Sequence, residues 1–373
     1  MVEEGAMFQI KPTARLRPSP YFESVVAEGM VSAMVYNRMI LPTGFGDPEA
    51  EYWRIINGVS MWDVGCERQV ELLGPDAGEL VRILSPRHMM NMATGQGKYV
   101  PLCNHDGVLI NDPILLKIEE DRYWFSIADS DIWFWARAIA AERGLNVQVN
   151  EPDVSPLAVQ GPRAEDVIAS LFGEWVRSLR YFWFRDTEIE GIPVLVARSG
   201  WSKQGGFEIY LRDGSRGSAL WNLVKEAGQP FGIGPGAPAT AERTESGLIS
   251  WGGDTDDQTN PFEVRLGKYV DLDVGDDVIG IQALRTIAER GPSRHQLGVV
   301  LEGSSPDPSK FNWDPILKAG RRVGSMTNCS WSLRMERNIG YALVAIDVLP
   351  GETVTIERPG GNVTGTLTEL PFL

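Results

Sequence analysis

The chain has 373 residues, 43% of them hydrophobic and 23% charged, and carries a formal net charge of −15. That length exceeds one ordinary core and points to two or three domains. The acidity argues against nucleic acid as a partner, since such a surface repels a polyanion. No uncharged apolar run approaches the roughly 20 residues of a membrane span, and the first residues lack an apolar signal core. A cytoplasmic protein with no membrane partner is expected.

Residues 1–20 mix charge, proline and polar side chains and read as an N-terminal arm, with the folded part starting near Tyr21. An internal repeat follows. Residues 70–84 (VELLGPDAGELVRIL) and 157–171 (LAVQGPRAEDVIASL) each give a short apolar strand, a Gly-Pro turn and an amphipathic helix. Gly74-Pro75 aligns with Gly161-Pro162, with each proline expected just inside its helix. Downstream, both copies continue as a hairpin and a second helix, so two α/β halves are expected to pack around a cleft. Aligning Asp129 with Asp213 sets Ser126 opposite Tyr210 and Trp124 opposite Glu208. Because strand side chains alternate, Trp124 and Ser126 share one face of their strand, and Glu208 and Tyr210 share one face of theirs.

Residues 228–238 (GQPFGIGPGAP) read as a Gly/Pro-rich linker. Its glycines follow a helix instead of a strand, which excludes a dinucleotide fingerprint. A second boundary lies near 280–292. Beyond it, LGVVLEG, NIGYALVAI, ETVTIER and GTLTEL are short β-like runs, expected to form a C-terminal sandwich or barrel.

Cys66, Cys103 and Cys329 are far apart and show neither metal-ligand nor redox spacing. His88, His105 and His295 are isolated, and no GxSxG, P-loop or HExxH is present. No metal site is expected.

Eight segments occur in order along almost the whole chain: QVELLGPDA, GKYVPLCNHDGVLINDPILLKI, LAVQGPRAEDV, ARSGWSKQGGFEIYL, ERTESGL, WGGDTDDQTNPFEVRLGKYV, VIGIQAL and NIGYALV. Together they resemble the glycine-cleavage T-protein (aminomethyltransferase) superfamily. Asn111-Asp112-Pro113 and Gly200-Trp201-Ser202-Lys203-Gln204-Gly205-Gly206 are similar to its dimethylsulfoniopropionate demethylase branch, as is the run from Val35 to Met39. Arg38 departs from that branch, where histidine is expected.

The resemblance implies an α+β, three-domain cloverleaf. Its folate-binding region would span 21–280 as two pseudo-repeated α/β lobes (units about 60–150 and 151–230), and a C-terminal β-barrel would span 281–373. It implies tetrahydrofolate as a methyl-accepting cosubstrate and a small sulfonium compound as methyl donor. The corrinoid-binding DxHxxG is absent, so the transfer would be direct, without metal or corrinoid. Asp112 is carried over as the catalytic residue at the reacting end of the folate. Glu208 would accept from the pterin edge, and Tyr99, Ser126, Trp201 and Tyr210 would line the folate channel. Arg243 would meet the folate carboxylate tail. For the sulfonium, aromatic faces are the natural partners, and Tyr36, Trp175 and Trp201 are the candidates, with Lys98 for the donor's carboxylate. The alternatives are an aminomethyltransferase of glycine cleavage, another folate-dependent S-, N- or O-demethylase, or a non-catalytic folate-binding protein. A homodimer is the one protein assembly considered.

Overall fold

The computed structural model of the chain describes residues 12–89, 91–303, 313–358 and 360–373. Two sheets and one closed barrel organise it. The first sheet runs in the order Gln148–Asn150, Gln69–Leu73, Arg122–Ser126, Ile114–Glu119, Gly97–Tyr99. The second runs Phe184–Ile189, Ile192–Ala197, Gly206–Leu211, Ser155–Gln160, Ser60–Asp63, Gly234–Gly236.

Four strands of each sheet correspond, and their register follows the alignment of the repeat. Ser126 pairs with Gln69 as Tyr210 pairs with Pro156, and Trp124 pairs with Glu71 as Glu208 pairs with Ala158. The fifth strands are exchanged. Ser60–Asp63, ahead of the first copy, joins Ser155–Gln160 of the second sheet, whereas Gln148–Asn150, ahead of the second copy, joins Gln69–Leu73 of the first. Units cut at 60–150 and 151–230 therefore do not coincide with the sheets. Each sheet takes one strand from the other copy's leader.

The equivalent turns explain their glycines. Gly74 (φ +140°) and Gly161 (φ +121°) would place a Cβ 2.7 Å from the Asn146 carbonyl and 2.5 Å from the Gly58 carbonyl, so a side chain fits at neither. Pro75 and Pro162 sit in these turns, one residue ahead of the N-caps Asp76 and Arg163, and not inside the helices Ala77–Leu84 and Ala164–Phe172.

Alternation sorts each strand's side chains. On the first sheet, Val70 and Leu72 face helices through Leu80, Val81, Ala136 and Ile139. On the second, Leu157, Val159 and Ile209 face Val167, Leu220 and Trp221. The opposite faces meet each other, where Leu116 and Trp124 pack with Phe184, Leu195 and Tyr210. The linker at 228–238 is partly regular: Gln229–Phe231 is a single 3-10 turn, and Gly234–Gly236 runs parallel to Ser60–Asp63 as an edge strand.

The C-terminal part closes as a barrel of six strands, Arg294–Leu301, Arg337–Ala345, Arg321–Ser332, Asp314–Lys318, Thr353–Ile356 and Val363–Thr368. Val299, Ile316, Ala342 and Val344 fill it. The fold is thus α+β, with two related α/β lobes and a C-terminal barrel. Among the described residues, no helix is long and apolar enough to cross a membrane. Residues 1–11 of the expected arm lie outside the described residues. The remainder of that arm is docked: Arg17 N donates to the Arg38 carbonyl at 2.9 Å, and Ser19 Oγ donates to Asp63 Oδ2 at 2.5 Å.

One short helix, Thr240–Glu245, ties the three parts together, and Glu242, Arg243, Thr244 and Glu245 on it are all buried. Glu242 accepts from Lys203 N at 3.0 Å and Gln204 Nε2 at 2.9 Å on the second lobe. Arg243 pairs with Asp254 at 2.7 Å, and Asp254 also accepts from Thr327 and Asn328 of the barrel at 3.0 and 2.9 Å. Glu245 accepts from Tyr52 at 2.8 Å, Ser332 at 2.5 Å and Arg334 Nε at 2.9 Å. Removing one partner of such a buried set strands the others. Glu245→Ala is expected to cost about 3–5 kcal/mol, read as a lowered urea midpoint. Glu245→Gln, which keeps an acceptor, should cost less.

Candidate functional site

The lobes, the barrel and the hairpin Ser32–Tyr36/Met39–Gly44 enclose a cavity of about 1380 Å³. Pockets for one small ligand measure about 300–1,000 Å³, so this one has room for two reactants. Strand ends and loops supply its wall: Tyr36 from the hairpin, Tyr99 and Ser126 from the first sheet, and Glu208 from the second.

Glu67, Asp112 and Glu208 are among the carboxylates that line this space. Asp112 accepts from Tyr99 Oη at 2.6 Å. Burial pushes its pKa up to about 7, against the pull of the Tyr99 hydrogen bond. Glu208 is 5% exposed and accepts from Ser199 at 2.5 Å and Tyr210 at 3.2 Å, both on Oε2. Burial raises its pKa, and those two hydrogen bonds oppose the rise. Glu67 is raised well above the usual range by burial first, then by the charges of Glu208 and Asp112. Among the described residues, no lysine or arginine forms an ion pair with any of the three.

Trp201 sits on the wall in the loop that follows Arg198. Buried Gln160 holds this loop by donating to the Ser199 carbonyl at 3.1 Å and accepting from Ser202 at 2.8 Å. Trp201 Nε1 donates to the Ile249 carbonyl at 3.3 Å, fixing the indole from the far side. Tyr99 packs edge-on against Tyr269 with ring centroids 5.0 Å apart.

Of the residues singled out in the sequence, Tyr36, Tyr99, Asp112, Ser126, Trp201, Glu208 and Arg243 are brought together on the wall. Three are not. Lys98 is the strand neighbour of Tyr99 and points the other way, its Nζ donating to the His88 carbonyl at 3.2 Å. Trp175 lies in the 3-10 turn Glu174–Ser178 under the guanidinium of Arg185, 4.8 Å from the ring centroid, away from the cavity. Tyr210 is fully buried between the sheets and reaches the site through its hydrogen bond to Glu208 and its side-chain interaction with Ser126. Arg243 is on the wall, but its charge is answered by Asp254. Arg38 stays outside: it closes the hairpin turn at φ +62° and pairs with Asp131 on the surface at 2.8 Å. Glu67, Arg265 and Trp251 are wall residues that the sequence reading passed over. Glu67 lies just ahead of the first expected strand, in a stretch with no periodic signal.

The GCVT N-terminal domain matches residues 21–274, and the glycine cleavage T-protein C-terminal barrel domain matches residues 294–373. The chain belongs to the glycine cleavage T-protein family. It is 42% identical to the dimethylsulfoniopropionate demethylase DmdA of Ruegeria pomeroyi over 97% of this chain and 99% of that one. It is 30% identical to an aminomethyltransferase of Symbiobacterium thermophilum over 89% of this chain and 91% of that one. The glycine cleavage aminomethyltransferase T of Bartonella henselae superimposes with a TM-score of 0.84 at 21% identity, over 96% and 98% of the two chains, which shows the shared fold.

T-proteins are folate-dependent transferases, and the wall residues fit a reduced folate. The amino and ring N–H groups along a pterin edge need acceptors in a water-poor site. Among the described residues no donor reaches Glu208 Oε1, which leaves an acceptor facing the cavity. Tyr99, Trp201 and Trp251 provide aromatic surface for flat rings. Since Lys98 is outside this wall, Lys98→Ala is expected to leave the KM for the methyl donor and the Kd for tetrahydrofolate unchanged. A steady-state titration of both ligands checks this, and a selective rise in donor KM would restore the role expected from the sequence.

Proposed function

We propose that this T-protein relative transfers one methyl group from dimethylsulfoniopropionate to tetrahydrofolate, giving methylmercaptopropionate and 5-methyltetrahydrofolate. The observation that carries the proposal is a cavity with aromatic walls on which Glu67, Asp112 and Glu208 are raised in pKa by burial and, among the described residues, form no ion pair with a basic side chain. A fixed cation without N–H donors is the ligand such a wall favours, through ring faces and unsatisfied negative charge. The 42% identity to a dimethylsulfoniopropionate demethylase over nearly the whole chain supports the same donor.

Tetrahydrofolate supplies the N5 lone pair that takes the methyl carbon. The carbon–sulfur bond breaks with its electrons staying on sulfur, so the thioether leaves neutral, and N5 loses a proton. Positive sulfur already activates the methyl group. The chain's own contribution is then mainly alignment, which can supply roughly 7–11 kcal/mol. Glu208, set by Ser199 and Tyr210, orients the pterin edge. Tyr36 and Trp201 offer faces to the sulfonium. Asp112, held by Tyr99 and with a pKa near 7, is suited to receive the N5 proton as a carboxylate.

Anaerobic incubation with both reactants, followed by mass spectrometry, should show the two products appearing together. Folate binding without either product would exclude this donor. The carboxylate form of Asp112 predominates above its pKa, so kcat/KM is expected to rise with pH through about 7 and then level. Asp112→Asn should lower kcat by about 10²–10⁴-fold and abolish that rise, while Kd for tetrahydrofolate changes little.

A further inference from the structure

The cavity wall holds two arginines, and they are committed differently. Arg243 lies 2.7 Å from Asp254, which neutralises it. Arg265 bonds only neutral oxygens: Nε and Nη2 donate to Gln296 Oε1 at 3.2 and 3.1 Å, and Nη2 also donates to the Gly247 carbonyl at 2.7 Å. Among the described residues, no carboxylate forms an ion pair with it. Its remaining nitrogen, Nη1, lies beside Gly247, 3.2 Å from where a Cβ on that glycine would stand, and both residues line the cavity. Burial lowers the Arg265 pKa, yet a guanidinium stays charged in proteins. The result is a cation held in place on two of its nitrogens, with no directly paired carboxylate among the described residues, at the wall of a chain whose net charge is −15.

We propose that Arg265 is the anchor for a ligand carboxylate in this cavity. A planar guanidinium fixed by two neutral acceptors is pre-organised, so little further entropy is lost when a carboxylate meets its free edge. Lys98, the cation expected for this task from the sequence, faces away; of the other wall cations, Arg243 is already paired, and Lys203 and Lys268 lack the planar fork that meets a carboxylate on two points. The choice of ligand rests on the methyl-transfer function proposed above. Both of its reactants carry a carboxylate, the donor at its propionate end and the folate on its glutamate tail.

Two matched pairs separate these sources. Dimethylsulfoniopropionate is compared with its methyl ester as methyl donor, and tetrahydrofolate with tetrahydropteroate, which lacks the glutamate, in binding. Wild-type enzyme should prefer the carboxylated member of one pair by about thirtyfold or more. In Arg265→Gln that preference should collapse, with the other pair unmoved, and Arg265→Lys should restore part of it. Loss confined to the donor pair assigns the donor's carboxylate; loss confined to the folate pair assigns the glutamate tail. A merely structural tie to Gln296 would weaken both members of a pair alike. Wild-type preference that survives in Arg265→Gln, or no preference in either pair, overturns the proposal. Failure of the wild-type enzyme to use dimethylsulfoniopropionate at all would instead refute the proposed donor, and the folate pair would still decide Arg265. Should Arg265→Gln not fold, the ester and pteroate comparisons on wild-type enzyme, with Arg265→Lys, carry the same decision.

Discussion

Taking an ionised side chain out of water costs several kcal/mol unless partners replace the water. This chain buries two sets of carboxylates and treats them in opposite ways. Glu242, Glu245 and Asp254 are surrounded by donors from the second lobe, the barrel and the helix at Tyr52, so their charge holds those parts in one arrangement. Among the described residues, Glu67, Asp112 and Glu208 form no ion pair with a lysine or arginine, and burial drives their pKa values upward. The first set keeps the cavity's shape. The second leaves it with acceptor capacity that only a ligand or a proton can satisfy.

The duplicated lobes make this contrast possible. Exchange of the leading strands, Ser60–Asp63 into one sheet and Gln148–Asn150 into the other, locks the two copies together through backbone hydrogen bonds. Their facing surfaces then share one apolar contact in which Trp124 and Tyr210 take equivalent sides. Two residues along the same strands, on the same face, Ser126 and Glu208 leave that contact and enter the cavity. The close packing beneath them means the carboxylate of Glu208 has little freedom to move toward water.

Much of this was legible in the sequence, for identifiable reasons. The Gly-Pro turns and the period-two strands fixed both the repeat and the register of Ser126, Trp124, Glu208 and Tyr210, because a slip by one residue would turn every side chain to the wrong face. The same rule explains the loss of Lys98. It is adjacent to Tyr99 on the strand Gly97–Tyr99, and neighbours on a strand cannot both face one cavity. Exchange of the fifth strands left no local trace, since Ser60–Asp63 looks the same whichever sheet it joins. Glu67 and Arg265 were hidden for a related reason: each lies in irregular backbone, Arg265 at φ +64°, where no periodicity announces which way a side chain points.

On the proposed reaction, the pairing of positive donor with unneutralised wall also bears on turnover. Before a ligand enters, burial raises the cost of ionising Glu67 and Glu208. A sulfonium cation lowers the cost of ionising those groups, so its entry and their loss of protons support each other. Methyl transfer then removes the charge from sulfur. The thioether that remains has lost the attraction that admitted its precursor, while the carboxylate is common to both and cannot distinguish them. On this reaction, discrimination between donor and product therefore falls to the acidic, aromatic side of the cavity.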